Sequence, residues 1–139
     1  MKQAQDTLKI KTNGKGFIDI TKQVASWVRE QNLDMGLLTV FITHTSASLI
    51  VQENADPDVL ADLQSFFKRV VPENPSMYRH TMEGPDDMPA HIRSLLTQTQ
   101  LSIPLTKGRM VLGAWQGIYV CEHRDRPQSR NVLLHVLGE

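Results

Sequence analysis

The segment YRHTMEGPDDMPAHIRSLL, at positions 78–96, concentrates side chains that bind metals or exchange protons. Neutral imidazole is the commonest nitrogen ligand for zinc-type metals, and carboxylates are the usual ligands of Mg²⁺. A Gly-Pro pair and Pro89 prevent a plain continuous helix, so the two imidazoles can converge only if the loop folds back. The ligand-type residues of the segment are His80, Glu83, Asp86, Asp87 and His91.

A third histidine, His44, follows an apolar, strand-like run in the stretch THTSAS. Three protein ligands with one open position are the usual arrangement of a catalytic zinc site. One interpretation is therefore a shared metal or catalytic cluster of His44, His80 and His91. In the other interpretation each histidine only forms local hydrogen bonds. His135 lies in an apolar strand, and we expect it to be structural.

The acidic residues have both local and functional explanations. Asp87 can cap the helix that follows it and Asp86 can hold the turn, whereas Glu83 has no such local role. Glu53 and Asn54 stand where a strand leads into a helix, and backbone N–H groups at a helix start attract anions. Carboxylates with Mg²⁺ are a common way to hold a diphosphate, and a solvated acidic loop is the alternative.

The stretch WQGIYVCEHR has the alternation of a strand, in which every second residue shares a face. Ile118 and Val120 mark one face as core, which places Glu122 and Arg124 at the edge of that face. The two form either a structural ion pair or an anion-binding arginine oriented by its glutamate. The opposite face then carries Tyr119, Cys121 and His123.

Trp115 is flanked by Gly113 and Gly117, so that backbone or a ligand can approach the indole closely. An indole exposed in this way could stack on a heteroaromatic ring. The alternative is an ordinary core tryptophan.

The first half of the chain predicts strands and helices that alternate. Residues 5–11 alternate polar and apolar, as in a half-buried strand, and residues 37–43 and 47–51 are apolar and β-branched. A first helix begins near Asp19, capped by Asp19 or Thr21, and carries an apolar stripe. A second begins after Asp56, which is expected to be its N-cap.

The second half predicts one more helix and a series of strands. The helix restarts near Asp87, and the last forty residues contain four strand-like stretches, LSIPL, RMVLGAW, GIYVCEH and NVLLHVL. These patterns indicate an α+β fold with mostly antiparallel sheets and three helices. Residues 1–139 are expected to form one domain.

Composition narrows the function classes. Lysine and arginine total 15, aspartate and glutamate total 15, and this balance argues against a nucleic-acid-binding domain. The lone Cys121 excludes an internal disulfide and favours a reducing compartment. The N-terminus has no apolar run typical of a signal peptide or membrane anchor, so we expect a cytoplasmic protein without membrane partners. The P-loop, GxGxxG, HExxH and GxSxG motifs are absent.

Three blocks, HTSASLIVQENADPDV, YRHTMEGPDDMPAHI and LTKGRMVLGAWQGIYVCEHR, resemble in the same order the motifs of the YjbQ-like family, commonly labelled secondary thiamine-phosphate synthase. The resemblance implies an α+β fold with sheets packed as a sandwich or barrel-like core. It also implies a homotrimer with the motif residues near a cleft at subunit boundaries. The positions that match the motifs are His44, Thr45, Ser46, Ser48, Glu53, Asn54, Asp56, His80, Glu83, Asp86, Asp87, His91, Trp115, Gln116, Gly117, Glu122 and Arg124.

The implied activity joins a pyrimidine methyl diphosphate to a thiazole phosphate and releases diphosphate. Departure of diphosphate needs cationic assistance, from a divalent metal or from Arg and Lys. In this hypothesis Glu53, Asp86 and Asp87 hold a metal such as Mg²⁺, Arg124 holds phosphate and Trp115 stacks on the ring. His44, Asn54, Glu83 and Glu122 complete the candidate catalytic residues, and Thr45, Ser46, Ser48, Gln116 and Gly117 are candidates for substrate binding.

Two other functions remain open from the sequence. In one, His44, His80 and His91 hold a transition metal such as zinc in a hydrolase or lyase of a small substrate. In the other, the chain is a non-enzymatic trimer that binds a small ligand, and its polar blocks serve the subunit interface.

Overall fold

The computed structural model describes residues 1–139, in which eight strands form two sheets and three α-helices cover them. The strands are β1 (Lys2–Asn13), β2 (Gly16–Asp19), β3 (Met35–Ile42), β4 (Ala47–Glu53), β5 (Gln100–Thr106), β6 (Arg109–Met110), β7 (Gln116–Glu122) and β8 (Pro127–Gly138). The helices are α1 (Thr21–Glu30), α2 (Pro57–Val70) and α3 (Asp87–Leu96), with a short 3₁₀ turn at Pro75–Met77. The α+β class with three helices is therefore confirmed.

Every strand pair is antiparallel. The larger sheet has the order β1-β8-β3-β5-β6 and the smaller one β2-β7-β4. A cluster of 19 buried apolar residues draws on both sheets and on α1, so the sheets share one core, as a sandwich does.

Period-two alternation explains the long strands. In β3, Leu38, Val40 and Ile42 are buried, whereas Leu37 and Phe41 face outward and are 45% and 37% exposed. Strand β8 alternates in the same way, with its outward residues paired to those of β3. The larger sheet thus has one face in the core and one partly apolar face in solvent.

Two strands differ from the sequence prediction. The run RMVLGAW forms only the two-residue β6, because Gly113 to Gln116 make a turn in which the Gln116 side chain accepts a hydrogen bond from the Gly113 amide at 2.7 Å. Strand β2 is absent from the sequence prediction, since its four residues are too few to show a period.

The helices begin and end for local reasons. The Asp56 carboxylate accepts a hydrogen bond from the Asp58 amide at 2.9 Å, and Pro57 occupies the first turn, as predicted. The Asp19 carboxylate binds the Thr21 amide at 2.9 Å at the start of α1. None of the three helices has the length and the apolar composition needed to cross a bilayer.

Candidate functional site

Two histidines converge on one carboxylate at the start of α3. The Asp87 Oδ2 atom lies 2.6 Å from His80 Nε2 and 3.0 Å from His91 Nε2. Asp87 and His91 are one helical turn apart on the same face, and the loop before α3 folds back to bring His80 alongside. The three ligand atoms lie within 4.8 Å of one another, a spacing at which they could share one metal ion.

The hydrogen bonds of His91 leave a place for a second proton or a metal ion between its Nε2 atom and Asp87. His91 Nδ1 lies 2.8 Å from the Thr45 carbonyl oxygen, and only a protonated nitrogen can donate to a carbonyl. A neutral His91 then has a bare lone pair at Nε2, which faces a carboxylate oxygen 3.0 Å away. Two acceptors at this distance repel each other unless a second proton or a metal ion lies between them.

Arg124 fixes the orientation of Asp87 from the other side. Its guanidinium donates from Nη1 to Asp87 Oδ1, from Nε to Asp86 Oδ2 at 2.9 Å, and from Nη2 to the Glu83 carbonyl at 2.9 Å. This forked contact leaves Asp87 Oδ2 free to point at the two imidazoles.

The electrostatics of the group agree with this arrangement. Burial alone would raise the pKa of Asp87, but the hydrogen bond from His80 and the charges of His91 and Arg124 lower it. The same hydrogen bond raises the pKa of His80. The carboxylate therefore stays ionised and the site attracts cations.

The capping role predicted for Asp87 is wrong. Asp87 is the first residue of α3 and its carboxylate binds His80, His91 and Arg124 instead of capping the helix. Asp86 occupies the N-cap position, but its side chain caps no helix amide; it accepts from Arg124 and from the Asp125 amide at 2.9 Å.

His44 does not join His80 and His91. Its Nε2 accepts a hydrogen bond from the Asn131 amide at 2.8 Å, and its Nδ1 lies 3.4 Å from Arg130 Nη1. Burial and the Arg130 charge lower the pKa of His44. The structure places Asp87 where the sequence hypothesis placed His44, because His44 belongs to a network around β8.

Glu122 and Arg124 are not paired through their side chains, contrary to one of the two sequence interpretations. The fully buried Glu122 carboxylate accepts from Arg130 at 2.8 and 2.5 Å and from the Thr12 hydroxyl at 2.6 Å. Burial would raise the pKa of Glu122, but these hydrogen bonds lower it. Arg124 reaches this carboxylate through its backbone amide, at 3.0 Å, and not through its guanidinium.

Sequence reasoning missed Arg130, although a signal for it was present. The alternation of Val132, Leu134 and Val136 extends backwards to place position 130 on the core face of β8. A charge on a core face requires a buried partner of opposite charge. Glu122 is the acidic residue that the alternation of its own strand also places on a core face.

The serines and the threonine of HTSAS have different positions. Ser46 accepts from Arg130 through its carbonyl and its hydroxyl, at 3.2 and 3.0 Å. The buried Ser48 hydroxyl lies 2.8 Å from His123 Nε2 and accepts from Thr97 at 2.5 Å, so it has no contact with the exterior. Thr45 is exposed, and its carbonyl orients His91.

The remaining candidates form a second group at the opposite end of β4 and β7. At one end of β4, Glu53 pairs with Gln116 of β7, and at the other end, near the histidines, Ala47 pairs with Glu122. Because β4 has seven residues, its two ends are about 20 Å apart. The backbone amide of Asn54 donates a hydrogen bond to the Trp115 carbonyl at 2.9 Å. The Trp115 side chain is 64% exposed. Within one chain Glu53 therefore cannot share a metal with Asp86 and Asp87.

Gly117 permits this close packing. A Cβ at that position would lie 3.2 Å from Asn54 Cβ and 3.3 Å from Thr21 Oγ1. The approach of α1 and of the β4–α2 junction thus explains why a glycine stands at this position.

The fold and the site together define a small antiparallel α+β protein with a two-histidine, one-carboxylate group at a helix start. The family model described as UPF0047 protein YjbQ-like matches residues 6–139, and the chain belongs to this family. A UPF0047 protein of Synechocystis is 53% identical over 99% of this chain and 94% of its own length. The UPF0047 protein YjbQ of Escherichia coli is 41% identical over 97% of this chain and 98% of its own length.

Solved structures agree with the fold. A conserved hypothetical protein from Thermus thermophilus is 36% identical and superposes with a TM-score of 0.85 over 95% of this chain and 99% of its own. An uncharacterized YjbQ/UPF0047 protein from Clostridium acetobutylicum, also 36% identical, has a TM-score of 0.84 over 96% and 99% of the two chains.

Proposed function

We propose that this chain is a metal-dependent enzyme in which His80, Asp87 and His91 hold a divalent transition metal. The observation that carries the proposal is the convergence of two imidazole Nε2 atoms on Asp87 Oδ2, at 2.6 and 3.0 Å, with His91 Nδ1 already committed to a carbonyl. Two nitrogen ligands and one oxygen ligand favour zinc, iron or a similar ion, whereas Mg²⁺ prefers oxygen ligands alone.

The neighbouring residues are suited to support such an ion. The Thr45 carbonyl fixes the tautomer and ring orientation of His91, and Arg124 fixes Asp87, the two outer contacts that metal sites usually require. A bound ion of this type lowers the pKa of a bound water and polarises carbonyl or phosphoryl oxygens. With three protein ligands, a coordination position is left for water or substrate.

Glu83 is the candidate proton carrier. Its Oε2 atom lies 3.4 Å from His80 Nε2, and its side chain is 66% exposed. The carboxylate is close enough to the group to exchange a proton with a bound water or substrate, and free enough to move toward it.

The geometry favours hydrolysis or elimination on a small substrate over the reaction drawn from the family resemblance. The predicted magnesium cluster of Glu53, Asp86 and Asp87 does not assemble within the chain, and Asp86 Oδ2 already accepts two hydrogen bonds. Thiamine phosphate formation, joining a pyrimidine methyl diphosphate to a thiazole phosphate, is the second candidate. The exposed Trp115 supports it, as a surface on which a heteroaromatic ring could stack.

A homotrimer is also proposed, as the family resemblance implies. The outward face of the larger sheet supports an assembly, because Leu37, Phe41 and Leu137 lie exposed on adjacent strands. Such an assembly offers a route by which the Trp115 group of one subunit could approach the histidine group of another.

The test of the proposed function is an assay of chelator-treated protein reconstituted in parallel with Zn²⁺, Mn²⁺, Fe²⁺ or Mg²⁺. The substrates are a phosphate monoester, an inorganic diphosphate, and the pyrimidine diphosphate with the thiazole phosphate. We expect a transition metal to restore turnover in the wild type and in His135→Gln, and Glu83→Gln to lower kcat by a factor of about 10²–10⁴ while it keeps its metal.

The outcomes separate the candidates. Turnover of the pyrimidine and thiazole pair alone would favour the transferase, and turnover of the ester or diphosphate would favour the hydrolase. Equal rates with and without chelator would contradict metal dependence. Full metal loading without turnover of any substrate would favour a metal-binding protein that is not an enzyme.

A further inference from the structure

Arg93 is a buried cation that forms no ion pair. The residue is 3% exposed, its Nε has no hydrogen-bond partner, and none of the ion pairs of the chain includes it. Its Cζ atom lies 5.6 Å from the centroid of the Phe67 ring. Lys and Arg are rarely buried without a carboxylate or phosphate, because removing an ion from water is costly.

His123, which packs against the same phenylalanine as Arg93, carries no charge. His123 packs edge-on against Phe67 with ring centroids 6.0 Å apart. Burial and the Arg93 charge lower the pKa of His123 to about 3, so the imidazole is neutral. The carboxylates of Glu73 and Asp125 attract the guanidinium from a distance, but neither forms an ion pair with it.

Arg93 lines a cavity of about 640 Å³ whose other charged residues are mainly basic. Lys68 and Gln64 reach the cavity from one face of α2, and Lys15 reaches it from the turn between β1 and β2. Three cations thus surround a space with one lining carboxylate, that of Glu73. The volume lies in the range of pockets that take small metabolites.

We propose that this cavity is a binding site for a small molecule that carries a phosphate group, with the Arg93 guanidinium at its floor and Lys15 and Lys68 at its rim. A guanidinium offers several N–H donors in a fixed plane, which suits phosphate oxygens, and flanking ammonium groups add charge. A phosphate placed there would supply the partner that Arg93 lacks.

The site is distinct from the histidine group. His91 contacts the Thr45 carbonyl, whereas Arg93, two residues further along α3, lies against Phe67 of α2. Two residues correspond to about 200° around a helix, so the side chains leave opposite sides. The inference does not rest on the proposed metal, and it can be tested in metal-free protein.

The Glu73 carboxylate competes with a bound phosphate for the Lys15 ammonium. This carboxylate binds the Lys15 ammonium, which also donates to Asp125 Oδ1 at 2.7 Å. An incoming phosphate must share Lys15 with Glu73 and is repelled by it. Removal of the Glu73 charge should therefore strengthen binding.

The experiment is a calorimetric titration of chelator-treated protein with inorganic phosphate at constant ionic strength, balanced with chloride. We expect saturable binding to the wild type, a loss of about tenfold or more in affinity for Arg93→Gln, and a smaller loss for Lys68→Gln. Glu73→Gln should bind several-fold more tightly. Arg69→Gln, an exposed cation next to Lys68 that does not line the cavity, should bind as the wild type does.

Lys68→Gln and Glu73→Gln alter exposed residues, so they keep the test valid even if Arg93→Gln is misfolded. The proposal is overturned if the wild type does not bind phosphate. It is also overturned if Lys68→Gln, Glu73→Gln and Arg69→Gln all bind with the wild-type affinity, which would indicate non-specific attraction to surface charge. Metal loading of the histidine group affects neither outcome.

Discussion

The Asp87 carboxylate gives its two oxygens different partners, and the candidate site depends on that division. Oδ1 accepts from Arg124, whose fork also binds Asp86 Oδ2, while Oδ2 faces His80 and His91. Lysine could replace the charge of Arg124 but not its planar, two-point contact. The orientation of a single side chain therefore decides whether the two imidazoles have a common third ligand.

His123 provides a pH test at the residue scale. Its pKa is lowered to about 3 in the folded chain by burial and by Arg93, against about 6.5 for a free histidine. Between these values the unfolded chain binds a proton that the folded chain does not, so the free energy of unfolding falls as the pH falls. The slope from this one group approaches about 1.4 kcal/mol per pH unit.

Urea denaturation at several pH values between about 6.5 and 5 checks this, above the range in which carboxylates titrate. We expect His123→Asn to be less stable overall but to show a shallower pH dependence than the wild type. His135→Asn, on the outward side of β8, should keep the wild-type slope. A His123→Asn slope equal to that of the wild type would contradict a lowered pKa of His123 in the folded chain.

At the scale of elements, the start of α2 follows from local chemistry. The Asp56 side chain binds the Asp58 amide at 2.9 Å, and nothing else in the chain competes for it. Loss of a capping carboxylate costs about 1 kcal/mol. We expect Asp56→Ala to lower the free energy of unfolding by about this amount in chemical denaturation, and Asp62→Ala, exposed within the same helix, to change it much less. Equal effects would contradict the capping role.

The elements were largely predictable from the sequence, because hydrophobic periods and caps are local signals. Strands β1, β3, β4, β5, β7 and β8 and the three helices all correspond to such signals. The exceptions are β2, which is too short to show a period, and the end of RMVLGAW, where a side chain–backbone hydrogen bond makes a turn.

The candidate site was only partly predictable. The approach of His80 to His91 was expected if the loop folded back, and it does. The role of Asp87 was hidden, because a carboxylate before an apolar helix looks like a cap. The partners of Glu122 and His44 depend on the pairing of β8 with β1 and β3, and strand order and register are long-range properties that one sequence does not display.

At the scale of the whole molecule, the outward face of the larger sheet is the feature that one subunit leaves unexplained. Leu37 and Leu137 are paired across β3 and β8, and both are 45% exposed. Phe41, 37% exposed, continues the same row. Apolar side chains on adjacent strands of one face are typical of a surface that packs against another subunit.

We expect Phe41→Glu to dissociate the assembly, because it introduces a charge into an apolar interface. Light scattering coupled to size-exclusion chromatography gives the mass directly. The wild type should show a multiple of the 15.7 kDa subunit, three if the proposed trimer forms. Gln23→Glu, which adds the same charge on exposed α1, should keep the wild-type mass. A monomeric wild type, or a Phe41→Glu variant of unchanged mass, would contradict the proposed interface.

The claim that organises the candidate site is that His80, Asp87 and His91, without His44, hold one metal ion. Its most direct test is the metal content per chain, by plasma mass spectrometry, of protein loaded with Zn²⁺ and then desalted. We predict about one ion per chain in the wild type and in His44→Ala, and a loss of most of the metal in His91→Ala and Asp87→Asn. No retained metal in the wild type, or a loss in His44→Ala as large as that in His91→Ala, would contradict it.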